Sequence, residues 1–393
     1  MNRGMVNRHI AGFTSTGSKR PETLFGVDAQ DLPARMIRSS GCRVWDDQER
    51  EYVDYIMGLG SVALGYGHPE VTRAATHAVE AGVVGPLAPV LEEEVAAEIC
   101  RHMPWIEQVR FLKTGAEAMA AAVRLARVVT GRDHVLGCGY HGWLDWSQGA
   151  AGVPQATRAL YGELPFNDAA QARALIRAAG DRLAAVAFEP VVVVEPNAEW
   201  LRVLREETTR AGAVLIVDEI KTVCRLAVGG ASERYGIRPD LVVMGKALAN
   251  GFPLAAVGGR REVMEGVGRT WISSTLATEF VSLAASRATL QVITGAAVMD
   301  HLERVGHRLL HGLRAIHHDH PDLILGVGGV PQMCFLQYAD ETVSRSVTAA
   351  CAQSGLLFKR SAYNFVSLAH QDSIIDQSLE QLREALSAVA KPA

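Results

Sequence analysis

The chain has 393 residues, of which 48% are hydrophobic and 21% charged, and carries a net charge of −4. That is enough for about two soluble globular domains with ample core, and it argues against nucleic acid as the main partner, which would want a basic face. The six cysteines (Cys42, Cys100, Cys138, Cys224, Cys334 and Cys351) contain no C-x-x-C pair, so neither a zinc knuckle nor a redox motif is suggested.

Residues 1 to about 40 are polar, punctuated by Gly, Ser and Pro, and predict an arm. They contain no apolar stretch of the kind a secretory signal carries. Apolar runs throughout fall far short of the roughly 20 residues that a membrane span needs. With free thiols, the expectation is a cytoplasmic protein with no membrane partner. Residues 42–58 predict a hairpin and then an apolar segment, and GSVALGYGHPEV is a glycine-rich loop before a helix at about 69–81. An amphipathic helix over 91–104 is stopped by Pro104, and a strand is predicted at 109–113. TGAEAMAAAVRLARVVTG then places Met119, Val123, Ala126 and Val129 at helical spacing. Thr114 and Glu117 form a capping box. Gly115 leaves the first N–H groups of that helix open to a ligand, and such an end attracts phosphate. The Glu117 charge opposes this unless it turns back to the cap.

Alternation continues with strands at 134–138 and 184–190 and helices at 169–180 and 199–212. Two β-branched runs follow, at 214–217 and 241–244, each short and suited to a strand buried on both faces of a parallel sheet. The first ends in Asp218 and the second in Gly245-Lys246, about 28 residues later. Ligands of open α/β sheets sit beyond the carboxyl ends of the strands, so an acid and an amine are delivered to one crevice. Pyridoxal phosphate needs that pair: a Lys holds it as a Schiff base and an Asp faces its pyridinium nitrogen. The bland alternative for two such charges is a solvated strand edge. Lysines are scarce (Lys19, Lys113, Lys221, Lys246, Lys359 and Lys391). A strand at 253–259 that can return antiparallel, helices at about 277–294, 297–318 and 375–389, and short strands between them complete the chain. The expected division is an N-terminal arm and part of a small domain over 1–54, a large cofactor-binding domain over 55–292, and a C-terminal small α+β domain over 293–393.

Other motifs carry less. Gly137-Cys138-Gly139-Tyr140-His141-Gly142 fits G-x-G-x-x-G after a strand, with Glu163 near the required distance, but WLDWSQGAAGVP behind it is no helix, so a dinucleotide's pyrophosphate has no helix N-terminus. Tyr140 and His141 read better as an aromatic pair at the ligand edge, where a planar ring can stack. His317, His318 and His320 precede Pro321 at a helix end, which suits cations near the dipole better than a metal site. His307 and His311 read as an exposed face. No Ser-His-Asp order or H-E-x-x-H stretch points to hydrolysis.

TGAEAMAAAVRLAR, GYHGWLDW, AFEP, LIVDEI, PDLVVMGKALANGFPLAAVGG and SSTLATE occur in this order. In them the chain resembles the class III (subgroup II) aminotransferases of pyridoxal-phosphate fold type I, in the glutamate-1-semialdehyde aminomutase-like branch. The likeness covers nearly all of it from about Ser18. The resemblance implies an α/β large domain with a mostly parallel seven-stranded sheet plus a smaller α+β domain. It implies pyridoxal 5'-phosphate as cofactor, with no metal. It further implies Lys246 as the Schiff-base amine, Asp218 at the pyridine nitrogen, and Gly115 and Ala116 N–H groups at the phosphate. Tyr140, beside His141, would stack on one ring face and Ile220 on the other, with Glu189 near the phenolic oxygen and amine. Thr275 would reach the neighbouring subunit's phosphate, so a homodimer with active sites at its interface is expected.

A carboxylate about 4 Å from the pyridine nitrogen contributes up to ~4 kcal/mol at an effective dielectric of 20. That is roughly three pKa units, enough to keep the ring protonated at neutral pH. Two departures from the family stand out. The aminomutase proper carries V-N-S-P-V-R, where this chain reads STGSKRPETLFG, and the frequent G-F-R after the Asp is Val223-Cys224-Arg225 here. The reading is a transaminase that moves an amine from an amino-acid donor to a ketone or aldehyde. The alternatives are an aminomutase and, from another class, a catalytically silent scaffold, which the intact Lys246 and Asp218 oppose.

Overall fold

A strand buried on both faces must be apolar throughout, and the chain supplies such runs between amphipathic helices. The computed structural model describes residues 9–26, 32–295 and 297–390. The chain divides into two units, one of Gly60–Leu64 and His68–His301, the other of Met1–Leu59, Gly65–Gly67 and Leu302–Ala393.

In the second unit β1 (Met36–Ser40), β2 (Arg43–Asp46) and β3 (Glu51–Asp54) form an antiparallel ladder. The β2–β3 turn closes because the buried Asp46 carboxylate accepts from the N–H groups of Gln48 and Arg50, both at 2.9 Å, and from Tyr52 Oη at 2.9 Å. The arm expected over 1 to about 40 falls partly outside the described residues. Within them, Pro21–Phe25 is a helix and β1 is a strand. The reason it escaped the sequence is physical: β1 is an edge strand with no buried residue, so it has no apolar alternation to show.

The first unit holds a seven-stranded sheet of β4 (Gln108–Leu112), β5 (His134–Cys138), β6 (Tyr161–Glu163), β7 (Leu183–Phe188), β8 (Val214–Asp218), β9 (Leu241–Met244) and β10 (Ala255–Gly259), in the order β4-β10-β9-β8-β7-β5-β6. Strands β6, β5, β7, β8 and β9 run parallel, and β10 lies antiparallel between β9 and β4. The fold is therefore α/β with a mostly parallel sheet. The Gly115–Thr130 helix packs Met119, Val123 and Leu125 on one face of it. Helices Ala169–Ala179 and Ala198–Arg210 pack Ile176, Trp200 and Leu204 on the other. Each such buried side chain is worth about 1.5–3 kcal/mol over exposure. These last two helices are joined through the buried Glu207, which Arg177 grips with two hydrogen bonds at 2.9 and 3.0 Å.

The second unit resumes with β11 (Ile324–Val330), β12 (Met333–Tyr338), β13 (Leu356–Leu357) and β14 (Asn364–Phe365). Strands β11, β12 and β14 make one sheet, and β13 joins β3 in parallel. Helices Glu341–Gln353 and Asp372–Ala390 make it α+β. His317 Nδ1 lies 2.7 Å from the Ile324 carbonyl oxygen, which ties down the helix end that carries His317, His318 and His320. Among the described residues, no single helix is long and apolar enough to cross a membrane.

Candidate active site

Parallel registry brings four strand ends together. Cys138 pairs with Phe188, Phe188 with Val217, and Asp218 with Val243. The residues just past these ends are Gly139-Tyr140-His141, Glu189 and Gly245-Lys246, with Asp218 itself closing β8. So sheet order gathers Tyr140, His141, Glu189, Asp218 and Lys246 on one edge although the first and last lie 106 positions apart in the chain.

Asp218 is buried, and both of its oxygens are engaged. Oδ1 accepts from the Ile220 N–H at 3.1 Å, and Oδ2 lies 2.8 Å from His141 Nδ1. Since a carboxylate only accepts, His141 carries its proton on Nδ1. Its Nε2 is buried without a hydrogen-bond partner, and its ring stacks on Trp146 at 5.8 Å. This corrects the expectation for the Tyr140–His141 pair. The two rings are not companions: Tyr140 is 65% exposed, whereas His141 is 1% exposed and serves Asp218. The cause is the backbone, which turns at Gly139 (φ 100°) and Gly142 (φ 98°) and sends the two side chains to different environments. A Cβ at Gly139 would lie 2.5 Å from Glu189 Oε2, so only glycine lets the turn pass.

Glu189 is buried and held at both oxygens, Oε2 by the Tyr140 N–H at 2.9 Å and Oε1 by Lys221 Nζ at 2.8 Å. Lys221 had no role in the sequence reading; the available signal was a lysine three residues past Asp218 in a lysine-poor chain. Lys246 sits in left-handed backbone (φ 48°) at the start of a 3-10 turn and is half-buried. A non-glycine residue there costs on the order of 1 kcal/mol or more, a strain found at functional sites. Its amine makes no hydrogen bond or ion pair among the described residues. Burial, then repulsion from Lys221, brings its pKa down to about 8, against the pull of Glu189 and Asp218.

The capping box is formed. The Glu117 N–H donates to Thr114 Oγ1 at 3.2 Å, and Glu117 Oε2 accepts from the Thr114 N–H at 2.9 Å and the Lys113 N–H at 3.2 Å. Glu117 has thus turned its charge back to the cap. The Gly115 and Ala116 N–H groups belong to the first turn, which has no partner within a helix. Glycines let the neighbouring pieces close in. A Cβ on Gly115 would lie 2.5 Å from Ile220 Cδ1, and one on Gly142 would lie 2.6 Å from Ala116 Cβ. Ile220 therefore joins the end of β8 to the helix N-terminus. Thr275 stands apart, exposed in the 271–279 segment, with no hydrogen bond to the other site residues among those described.

This donor set fits pyridoxal phosphate: an unengaged amine for its aldehyde, a buried carboxylate for its ring nitrogen, and a glycine-lined helix N-terminus for its phosphate. Comparison with known proteins agrees. The profile of the class III aminotransferase family matches residues 25–390. The chain is 36% identical to the glutamate-1-semialdehyde 2,1-aminomutase of Thermomicrobium roseum, covering 99% of this chain and 96% of the other. It is 32% identical to that of Thermus thermophilus, covering 97% of each. Among solved structures it is similar to the PLP internal aldimine form of the FumI protein of Sphingopyxis sp. MTA144, with a TM-score of 0.93 and 28% identity over 98% of this chain and 95% of that one. It is also similar to a β-phenylalanine aminotransferase from Variovorax paradoxus, with a TM-score of 0.86 and 26% identity over 97% and 91%. With its motifs, its fold and a profile match from near one end to the other, the chain belongs to the class III aminotransferases, a family that uses pyridoxal phosphate.

Proposed function

We propose that the chain is a transaminase that takes an amine from an amino-acid donor and passes it, in two half-reactions, to a ketone or aldehyde. The observation that carries this reading is the delivery of the unengaged Lys246 amine and the doubly hydrogen-bonded Asp218 carboxylate by adjacent strand ends, β9 and β8. Pyridoxal phosphate, when bound, supplies an electron sink for the pair left on the amine-bearing carbon. Asp218 would hold the ring nitrogen, with His141 fixing the carboxylate from behind rather than touching the ring. Ile220 would close one face and Tyr140 the other, and the Gly115 and Ala116 N–H groups would hold the phosphate. Lys246 Nζ would be the base that moves a proton between the two carbons flanking the amine nitrogen. A homodimer belongs to the reading, because the exposed Thr275 is then free to complete the partner's phosphate site.

A second reading, a glutamate-1-semialdehyde-type aminomutase, is favoured by the names of the curated relatives at 31–36% identity. What supports the transaminase is STGSKRPETLFG in place of the mutase-type N-terminal stretch. The alignment to the Thermomicrobium relative also runs over 425 positions where this chain has 393 residues, so that relative carries segments this chain lacks. The test is product analysis with isolated protein. A transaminase releases one keto acid per donor consumed and needs a second substrate. Isomerisation of a single amino aldehyde without keto-acid release would replace the first reading by the second. Lys246→Ala protein is expected to bind the cofactor without the visible absorbance of its covalently held form and to lose turnover; retained turnover would refute the role of Lys246.

A further inference from the structure

We propose that Lys221 is a positioning residue for Lys246: by pairing with Glu189 it keeps that carboxylate away from the reacting amine and leaves the amine unengaged. The inference rests on the reading of Lys246 as the amine that captures the cofactor's aldehyde, and it adds a residue to which neither the sequence nor the family resemblance gave a role.

Three observations carry it. First, each Glu189 oxygen is engaged, with Lys221 Nζ at 2.8 Å from Oε1 and the Tyr140 N–H at 2.9 Å from Oε2. Second, Lys221 is itself anchored, with Nζ 3.4 Å from the Val191 carbonyl oxygen and the side chain only 14% exposed. Third, Lys246 makes no ion pair or hydrogen bond among the described residues although two carboxylates, Glu189 and Asp218, act on it. Asp218 is occupied by the Ile220 N–H and His141, so Glu189 is the carboxylate that could turn to Lys246 if Lys221 were removed. The charged groups that face the amine are Lys221, Glu189, Asp218 and Arg225, and of these Lys221 acts most strongly. A neutral methionine at 221 would remove a repulsion and release an attraction. Both changes favour the protonated ammonium, which cannot attack a carbonyl carbon.

The test is capture of added pyridoxal phosphate by cofactor-free protein as a function of pH. Nζ adds to the aldehyde carbon, one water leaves, and borohydride reduces the C=N bond to a stable amine whose position is read by peptide mass. Lys221→Met is expected to move the midpoint of the rate profile up by about one pH unit, so that capture at pH 7 slows about tenfold. Lys221→Arg, which keeps the charge, should stay near the unsubstituted protein. Lys221→Met combined with Glu189→Gln, which removes both charges, should return most of the way. Lys221→Gln carries the same expectation should the methionine variant fail to fold. An unmoved midpoint with the adduct still on Lys246 overturns the proposal alone. Absence of any adduct on Lys246 in the unsubstituted protein overturns the underlying reading, and this proposal with it.

Discussion

His141 acts through one atom. Its Nδ1 proton is spent on Asp218, and its imidazole is wedged against Trp146. His141→Asn places an amide N–H near the same position and is expected to keep cofactor affinity within a few-fold. His141→Phe leaves a buried carboxylate oxygen without its donor, a loss of about 1–3 kcal/mol, read as a 10- to 100-fold weaker Kd for pyridoxal phosphate by titration. Lys246 gives a prediction of opposite sign. Its pKa in the folded chain is about 8 against an ordinary value of 10.5. The cofactor-free protein therefore carries a penalty that is full below pH 8, shrinks as pH rises from 8 to 10.5, and is gone above it. Lys246→Met should raise the stability of cofactor-free protein at pH 7 by up to about 3 kcal/mol, with the difference in denaturation midpoint closing by pH 10.5. Equal stability of the two proteins at pH 7 would show that the amine is better solvated than its burial implies. Lys246 and Asp218 could be found in the sequence because a charge that ends a β-branched run is conspicuous. The pairing of His141 with Asp218 could not, because the two lie 77 residues apart and only the order of the strands makes them neighbours.

At the level of elements, the helix that opens at Gly115 is set by local chemistry, which is why its start was legible to the residue. Thr114→Ala removes the acceptor for the Glu117 N–H and is expected to cost about 1 kcal/mol, seen as a lower urea midpoint with unchanged m-value. Gly142→Ala should do more. It must hold φ 98° and drive its Cβ to 2.6 Å from that of Ala116, so a loss of about 1–3 kcal/mol is expected together with weaker phosphate binding. Intact binding of inorganic phosphate in that variant would mean that the helix N-terminus is not the phosphate site. The parallel strands were legible for the same reason as their burial: wholly apolar runs of four to six residues leave little else to be. β1 and β6 were not, since one is exposed along most of its length and the other is three residues long. The direction of β10 was open in the sequence, because pairing direction is decided by the neighbours and not by composition.

For the whole molecule, assembly is the open property that the reading makes testable. Sedimentation at twice the 42.3 kDa chain mass is expected. Thr275→Ala is expected to weaken cofactor binding without changing the adduct site on Lys246. Mixed dimers of Thr275→Ala and Lys246→Ala chains would then hold one site with both residues intact and one with neither. A protein that sediments as a 42.3 kDa particle while fully active would remove Thr275 from the account.

Between β9 and β10 the chain reverses direction, and Lys246 lies in that reversal. Asn250 holds left-handed backbone there (φ 44°), and its side-chain oxygen, 2.9 Å from the Leu64 N–H, fixes the far arm of the bend. The spacing from strand end to amine is thus metered by the bend itself. A single residue inserted between Met244 and Asn250 would rotate the nucleophile off its aim while leaving the other side chains of the constellation in place. Libraries that vary loop length to change substrate range should spare this connection, however solvent-facing and permissive its glycines make it look on paper.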